Sequence, residues 1–110
     1  MRGDVIRELN KELEAGRPGV LVTVLQTSGS TPRKAGSQML VRLDEGFFGT
    51  IGGGLAEATA IAEAYQTFKS KVSSLHRLTM NASVAATDGM ACGGEMEVFI
   101  QYVPTEIQTG

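Results

Sequence analysis

A single cysteine, Cys92, lies in Gly89-Met90-Ala91-Cys92-Gly93-Gly94-Glu95, among small residues that leave room for its sulfur at a turn. Neighbouring N–H groups or a cation can lower a thiol's pKa, making it a nucleophile or a soft metal ligand. An isolated cysteine is otherwise a small buried hydrophobe. A second segment, Thr27-Ser28-Gly29-Ser30-Thr31-Pro32-Arg33-Lys34-Ala35-Gly36, offers hydroxyls such as that of Ser30 and two adjacent cations. Arg33 presents a planar fork suited to phosphate. Pro32 stiffens the loop that presents it. Lys34 reads as a solvated surface charge.

The third segment, Gly49-Thr50-Ile51-Gly52-Gly53-Gly54, falls where a strand pattern gives way to a helix pattern. Gly52, Gly53 and Gly54 tolerate positive φ and let a ligand approach the backbone. The helix start beyond them supplies free N–H groups and the positive end of a dipole, which attract phosphate or carboxylate. Glu57, in the first turn, complements that dipole or hydrogen-bonds a ligand amine or hydroxyl. The alternative is a tight turn with no ligand. The glycines match neither a Walker A loop nor a Gly-x-Gly-x-x-Gly fingerprint. Glu95 and Glu97 are two apart, so a strand would turn both to one side, either as a carboxylate pair or as an exposed face. His76 is the sole histidine; beside one cysteine it cannot complete a zinc site, and it reads as structural. Met39, Met80, Met90 and Met96 read as core filler.

Regular elements must position these segments. Val5, Ile6, Leu9 and Leu13 predict a helix over Asp4–Glu14, stopped by Gly16 and Pro18. Gly19–Gln26 is a continuous β-branched and apolar run, the pattern of a strand buried on both faces. Gln38–Leu43 and Phe47–Ile51 read as a hairpin about Asp44-Glu45-Gly46. From Leu55 to Lys69 the pattern is helical, with Ala58, Ile61, Ala62, Tyr65 and Phe68 along one side. Ser74–Met80 and Glu95–Val103 read as strands, while Asn81–Met90 fits a short helix or a loop. The expected fold is α/β or α+β, a small mixed sheet of about five strands packed with two main helices.

The chain has 110 residues, enough for one domain with a modest core. A hydrophobic content of 42% and a charged content of 20% place it among globular chains. A net charge of −2 and 5% aromatics argue against nucleic acid as the main partner. No apolar run approaches the ~20 residues that cross a membrane. The N-terminus has no signal-peptide pattern, and a lone cysteine forms no internal disulfide, so the expected location is the cytoplasm with Cys92 reduced.

Together, the three segments resemble the N-terminal domain of the xanthine dehydrogenase accessory (XdhC/CoxI) family. The likeness spans about Arg17 to Val103 and includes Gly49–Glu57 and Gly89–Phe99. It implies a protein that binds the molybdenum cofactor, as molybdopterin or its nucleotide form. Such proteins assist exchange of an oxo for a sulfido ligand by a cysteine desulfurase. They then pass the cofactor to a molybdenum hydroxylase such as xanthine dehydrogenase. The implied site uses Ser30, Arg33, Gly52, Gly53, Gly54, Glu57, Cys92, Gly93 and Gly94, with Cys92 near molybdenum. Two departures stand out. Leu55 takes the place of a second cysteine common in the family. The Rossmann-type C-terminal domain of full-length members is not in this sequence, so the expectation is one domain over 1–110, with a separate Rossmann-domain subunit or self-association completing the site. The leading reading is a cofactor chaperone without turnover. The alternatives are a sulfur-transfer enzyme using Cys92 as nucleophile, and an assembly module with no cofactor.

Overall fold

The structure, a computed structural model, describes residues 2–28, 35–44, 46–52, 54–79 and 94–105. Its elements are α1 (Arg2–Glu14), β1 (Gly19–Ser28), β2 (Gln38–Arg42), β3 (Phe47–Gly49), α2 (Gly54–Ser70), β4 (Ser74–Thr79) and β5 (Glu95–Val103). The strands form one sheet in the order β3-β2-β1-β5-β4, and each of the four pairings is antiparallel. The expected sheet of about five strands with two helices is therefore present, and among the described residues it is antiparallel throughout where a mixed sheet is expected. Ser30, Arg33, Gly53, Cys92 and Gly93 lie outside the described residues, as do Met80, Met90 and the ambiguous 81–90 segment.

Strand alternation divides the core in two. Val20, Val22 and Val24 of β1, Met39 and Val41 of β2, and Met96, Val98 and Ile100 of β5 face α2. Leu21 and Leu40 face α1, meeting Val5, Leu9 and Leu13. The helices thus cover opposite faces of the sheet, which explains why Gly19–Gln26 reads as apolar throughout. That burial fades beyond Val24, where Leu25 and Gln26 are exposed. α1 packs on β1, β2 and β3, whereas α2 packs on β1, β4 and β5. On the α1 side, part of β4 and β5 is consequently left open among the described residues, and Leu75 is 58% exposed there.

The buried side of α2 differs from the sequence expectation. Ala56, Ala60, Ala64, Thr67 and Phe68 are buried, while Ala58 and Ala62 are exposed and Tyr65 largely so. An alanine at every fourth position lets the helix axis approach the sheet closely. The larger Ile61 and Tyr102 pack at the margin of that contact. Periodicity alone cannot distinguish this stripe from its neighbour, because alanine occurs on both sides of the helix.

Beside Val24 the β1–β5 register slips. Val24 pairs with Val98 but Gln26 pairs with Glu97, leaving Leu25 as an extra residue. Such a bulge disrupts the ladder locally and increases the twist.

Candidate functional site

Antiparallel pairing brings the described flanks of the three glycine-marked segments to one end of the sheet. β1 ends there at Ser28, β2 and β5 begin there, and β3 and β4 end there. Residues 29–37, 50–53 and 80–94 are the connections at that end. The opposite end carries the β2–β3 turn and the turn between α1 and β1.

The Gly49–Glu57 turn is held from within. Glu57 Oε1 accepts the Thr50 hydroxyl at 2.6 Å and the Ile51 N–H at 3.3 Å. Thr50 Oγ1 in turn accepts the Gly52 N–H at 3.0 Å. Glu57 therefore carries its negative charge in the first turn of α2, as the dipole favours, and also ties the preceding loop to that turn. Ile51 between them is fully buried. Leu55 is 51% exposed in the same helical turn.

Gly49 and Gly52 have φ of 90° and 128°, conformations that L side chains rarely adopt. Gly49 is constrained twice, because a Cβ there would lie 3.0 Å from the Gln38 carbonyl oxygen and 3.1 Å from Val5 Cγ2. Gly49→Ala is expected to cost about 1–2 kcal/mol in left-handed strain, read as a lower midpoint in urea denaturation. A midpoint at or above that of the wild type would show that the turn relaxes freely.

Gly94 is buried immediately before β5. Beyond it, Glu95 and Glu97 share a face as expected, with Glu95 exposed and Glu97 half-buried. Cross-strand pairing sets Gln26 and Arg77 on either side of Glu97, and Ser28 opposite Glu95. Gln26 Nε2 donates to Glu97 Oε1 at 2.8 Å, and Arg77 Nη1 lies 3.7 Å from Glu95 Oε1. These groups line a shallow groove of about 190 Å³. Sequence reasoning missed Thr50, Gln26 and Arg77. A hydroxyl two residues before a glycine is a recognisable turn signal for Thr50, but Gln26 and Arg77 depend on a strand register that one sequence does not reveal.

His76 lies on β4 with Nε2 2.8 Å from Ser74 Oγ and 3.8 Å from Glu63 Oε1 of α2. Serine and carboxylate meet the same ring nitrogen, so this is not a relay in which the carboxylate orients the imidazole from its other nitrogen. It joins helix to sheet, in keeping with a structural role. Met39 and Met96 are buried in the core. Among the described residues, no three His, Cys, Asp or Glu side chains group to hold a metal ion, and no helix is long and apolar enough to cross a membrane.

The model of the XdhC and CoxI family matches residues 12–79, which span the Thr27–Gly36 and Gly49–Gly54 segments. The chain belongs to the XdhC and CoxI family. It is 37% identical over 97 residues to YqeB, an uncharacterized protein of Escherichia coli (strain K12), covering 88% of this chain and 18% of that one. It is also 37% identical over 62 residues to the molybdenum cofactor insertion chaperone PaoD of the same strain, covering 56% of this chain and 20% of PaoD. The chain thus spans about a fifth of the length of these XdhC and CoxI relatives. A crystal structure from Bacillus halodurans, described as a xanthine dehydrogenase, superposes with a TM-score of 0.70 at 22% identity. The match covers 93% of this chain and 30% of that structure, and it establishes the shared fold.

Proposed function

We propose that this chain is a molybdenum-cofactor accessory domain, which holds the cofactor and assists its sulfuration and insertion into a molybdenum hydroxylase. The observation that supports the reading is that the described flanks of all three glycine-marked segments meet one end of the sheet. Kinship with an insertion chaperone supplies the class of ligand.

The residues present suit such a group. Gly52 and Gly54, both at positive φ, leave the backbone open before the start of α2, where an anion is favoured. In this reading Ser30, Arg33, Gly52, Gly53 and Gly54 cradle the phosphate, and Cys92 with Gly93 and Gly94 sits near the metal end. Glu57 contributes by holding the turn in shape. When bound, molybdenum supplies the dithiolene-held centre at which oxo is exchanged for sulfido. A cysteine desulfurase and a xanthine dehydrogenase-like enzyme are the protein partners, in the cytoplasm. A Rossmann-type domain or a second copy of the chain completes the enclosure.

The test is binding of molybdenum cofactor to the purified chain, compared with Arg33→Ala and Cys92→Ala. Each variant should bind at least tenfold more weakly, as expected for loss of one charge-assisted contact of about 1.4 kcal/mol or more. Undiminished binding by both variants sinks the site assignment. Absence of cofactor binding, even with the client enzyme present, sinks the function.

A further inference from the structure

We propose that the groove on the open face of the sheet reads a 2-amino-4-oxopyrimidine edge, the hydrogen-bonding edge that pterins share with guanine. The inference rests on the molybdenum-cofactor reading and names the part of that ligand each side chain meets. The groove lies where β1, β4 and β5 reach the functional end of the sheet, on the face opposite α2. Its volume of about 190 Å³ is below the roughly 300–1,000 Å³ of pockets that enclose drug-sized ligands. It has room for a bicyclic ring and leaves a phosphate-bearing tail to extend elsewhere.

The donor set matches that edge. A 2-amino-4-oxopyrimidine presents an amino group and a ring N–H side by side, followed by a carbonyl oxygen. Two adjacent donors pair with a carboxylate, and the carbonyl accepts from a cation. Arg77, Glu97 and Gln26 form one cross-strand row in which the carboxylate is central. The Gln26 amide, 2.8 Å from Glu97 Oε1, fixes the orientation of that carboxylate. A carboxylate has about four lone-pair sites, so this bond leaves it able to accept more. Arg77 is 69% exposed and lies 3.7 Å from Glu95, an ion pair too loose and too solvated to hold it. Its guanidinium can therefore turn to the carbonyl at little cost. Glu57, the other carboxylate near the glycine turn, is occupied by Thr50 and Ile51. Adenine, with an acceptor next to its amino group, does not satisfy this row.

The experiment titrates the full chain into free pterin and follows quenching of pterin fluorescence, with guanosine and adenosine as competitors. Saturable quenching is expected; titration calorimetry with guanosine reads the case in which the guanine edge binds without pterin, and the two outcomes separate a pterin head from a guanine nucleotide as the source of the edge. Glu97→Gln should weaken binding at least tenfold and Gln26→Ala should weaken it too. Glu63→Gln, on the opposite side of the sheet, should leave it unchanged. Circular dichroism checks that each variant is folded. If neither pterin nor guanosine binds, if adenosine competes equally, or if Glu97→Gln binds as well as the wild type, the groove has another role. Whole-cofactor binding is measured in parallel. Cofactor binding indifferent to Glu97→Gln overturns the groove alone, whereas pterin binding without cofactor binding overturns the chaperone reading alone.

Discussion

Replacing Glu12 by alanine is expected to lower stability by about 3 kcal/mol, the most of any single change considered. Glu12 is a buried carboxylate at the end of α1, 4% exposed. Arg17 meets it with a two-pronged contact, Nε to Oε1 at 2.9 Å and Nη2 to Oε2 at 3.2 Å. Arg42 of β2 approaches the same carboxylate at 3.7 Å and bonds Glu8 at 2.8 Å. Removing one partner of a buried ionic group leaves the other charges desolvated, and such losses run to ~3–5 kcal/mol. Arg17 and Arg42 are partly solvated, with side chains 35% and 18% exposed, which places the expectation at the low end. Chemical denaturation at neutral pH measures it, and a loss below about 1 kcal/mol would show that water replaces Glu12 readily.

The same carboxylate gives a pH dependence with a definite sign. Hydrogen bonding from Arg17 holds Glu12 below the ordinary carboxylate pKa; burial opposes this, and the charges of Arg17 and Arg42 add to it. A group whose pKa is depressed by folding stabilises fully above its unfolded value. Its contribution fades as pH falls through the folded value. The gap in stability between wild type and Glu12→Gln should therefore be widest near neutrality and narrow on acidification. A gap independent of pH would contradict the linkage.

Glu57→Ala is the second large effect, about 2–3 kcal/mol, or roughly 10 °C in melting temperature for a domain of this size. The variant strands the buried Ile51 N–H and removes the anchor of the Thr50 hydroxyl, which in turn fixes Gly52. Glu57→Gln keeps one carbonyl acceptor and should recover part of the loss. Both variants should also weaken cofactor binding, since the turn would no longer hold its shape. Wild-type stability in Glu57→Ala, with cofactor binding lost, would instead make Glu57 a direct ligand contact.

The sequence displayed the scaffold well because its signals are local. Glu95–Val103 could be bounded from alternation alone, and the start of β1 from a run of β-branched residues. Thr27 and Ser28 read as loop, yet they continue β1, because Met96 and Glu95 across the sheet give them partners. The glycine turn was legible as an anion-friendly element, but its internal lock was not. Glu57 and Thr50 are seven residues apart, and their meeting depends on the angle at which α2 leaves the turn. The groove depends on contacts among β1, β4 and β5, more distant still in sequence. Long-range pairing of this kind leaves no periodic trace in any one segment.

The extra residue in β1 assigns these side chains their places. A strand is a two-phase object, and Leu25 acts as a phase shift within it. Before it, even-numbered residues such as Val22 and Val24 face α2. After it, even-numbered Gln26 and Ser28 line up with Glu97 and Glu95 on the other face. A regular ladder that kept Leu25 in line would set Leu25 itself opposite Glu97 and still leave every groove residue in the sequence. Gln26 would then be carried to the α2 side, and Glu97 would lose the amide that orients it. For this chain, a one-residue slip of register can erase a site that no substitution has touched.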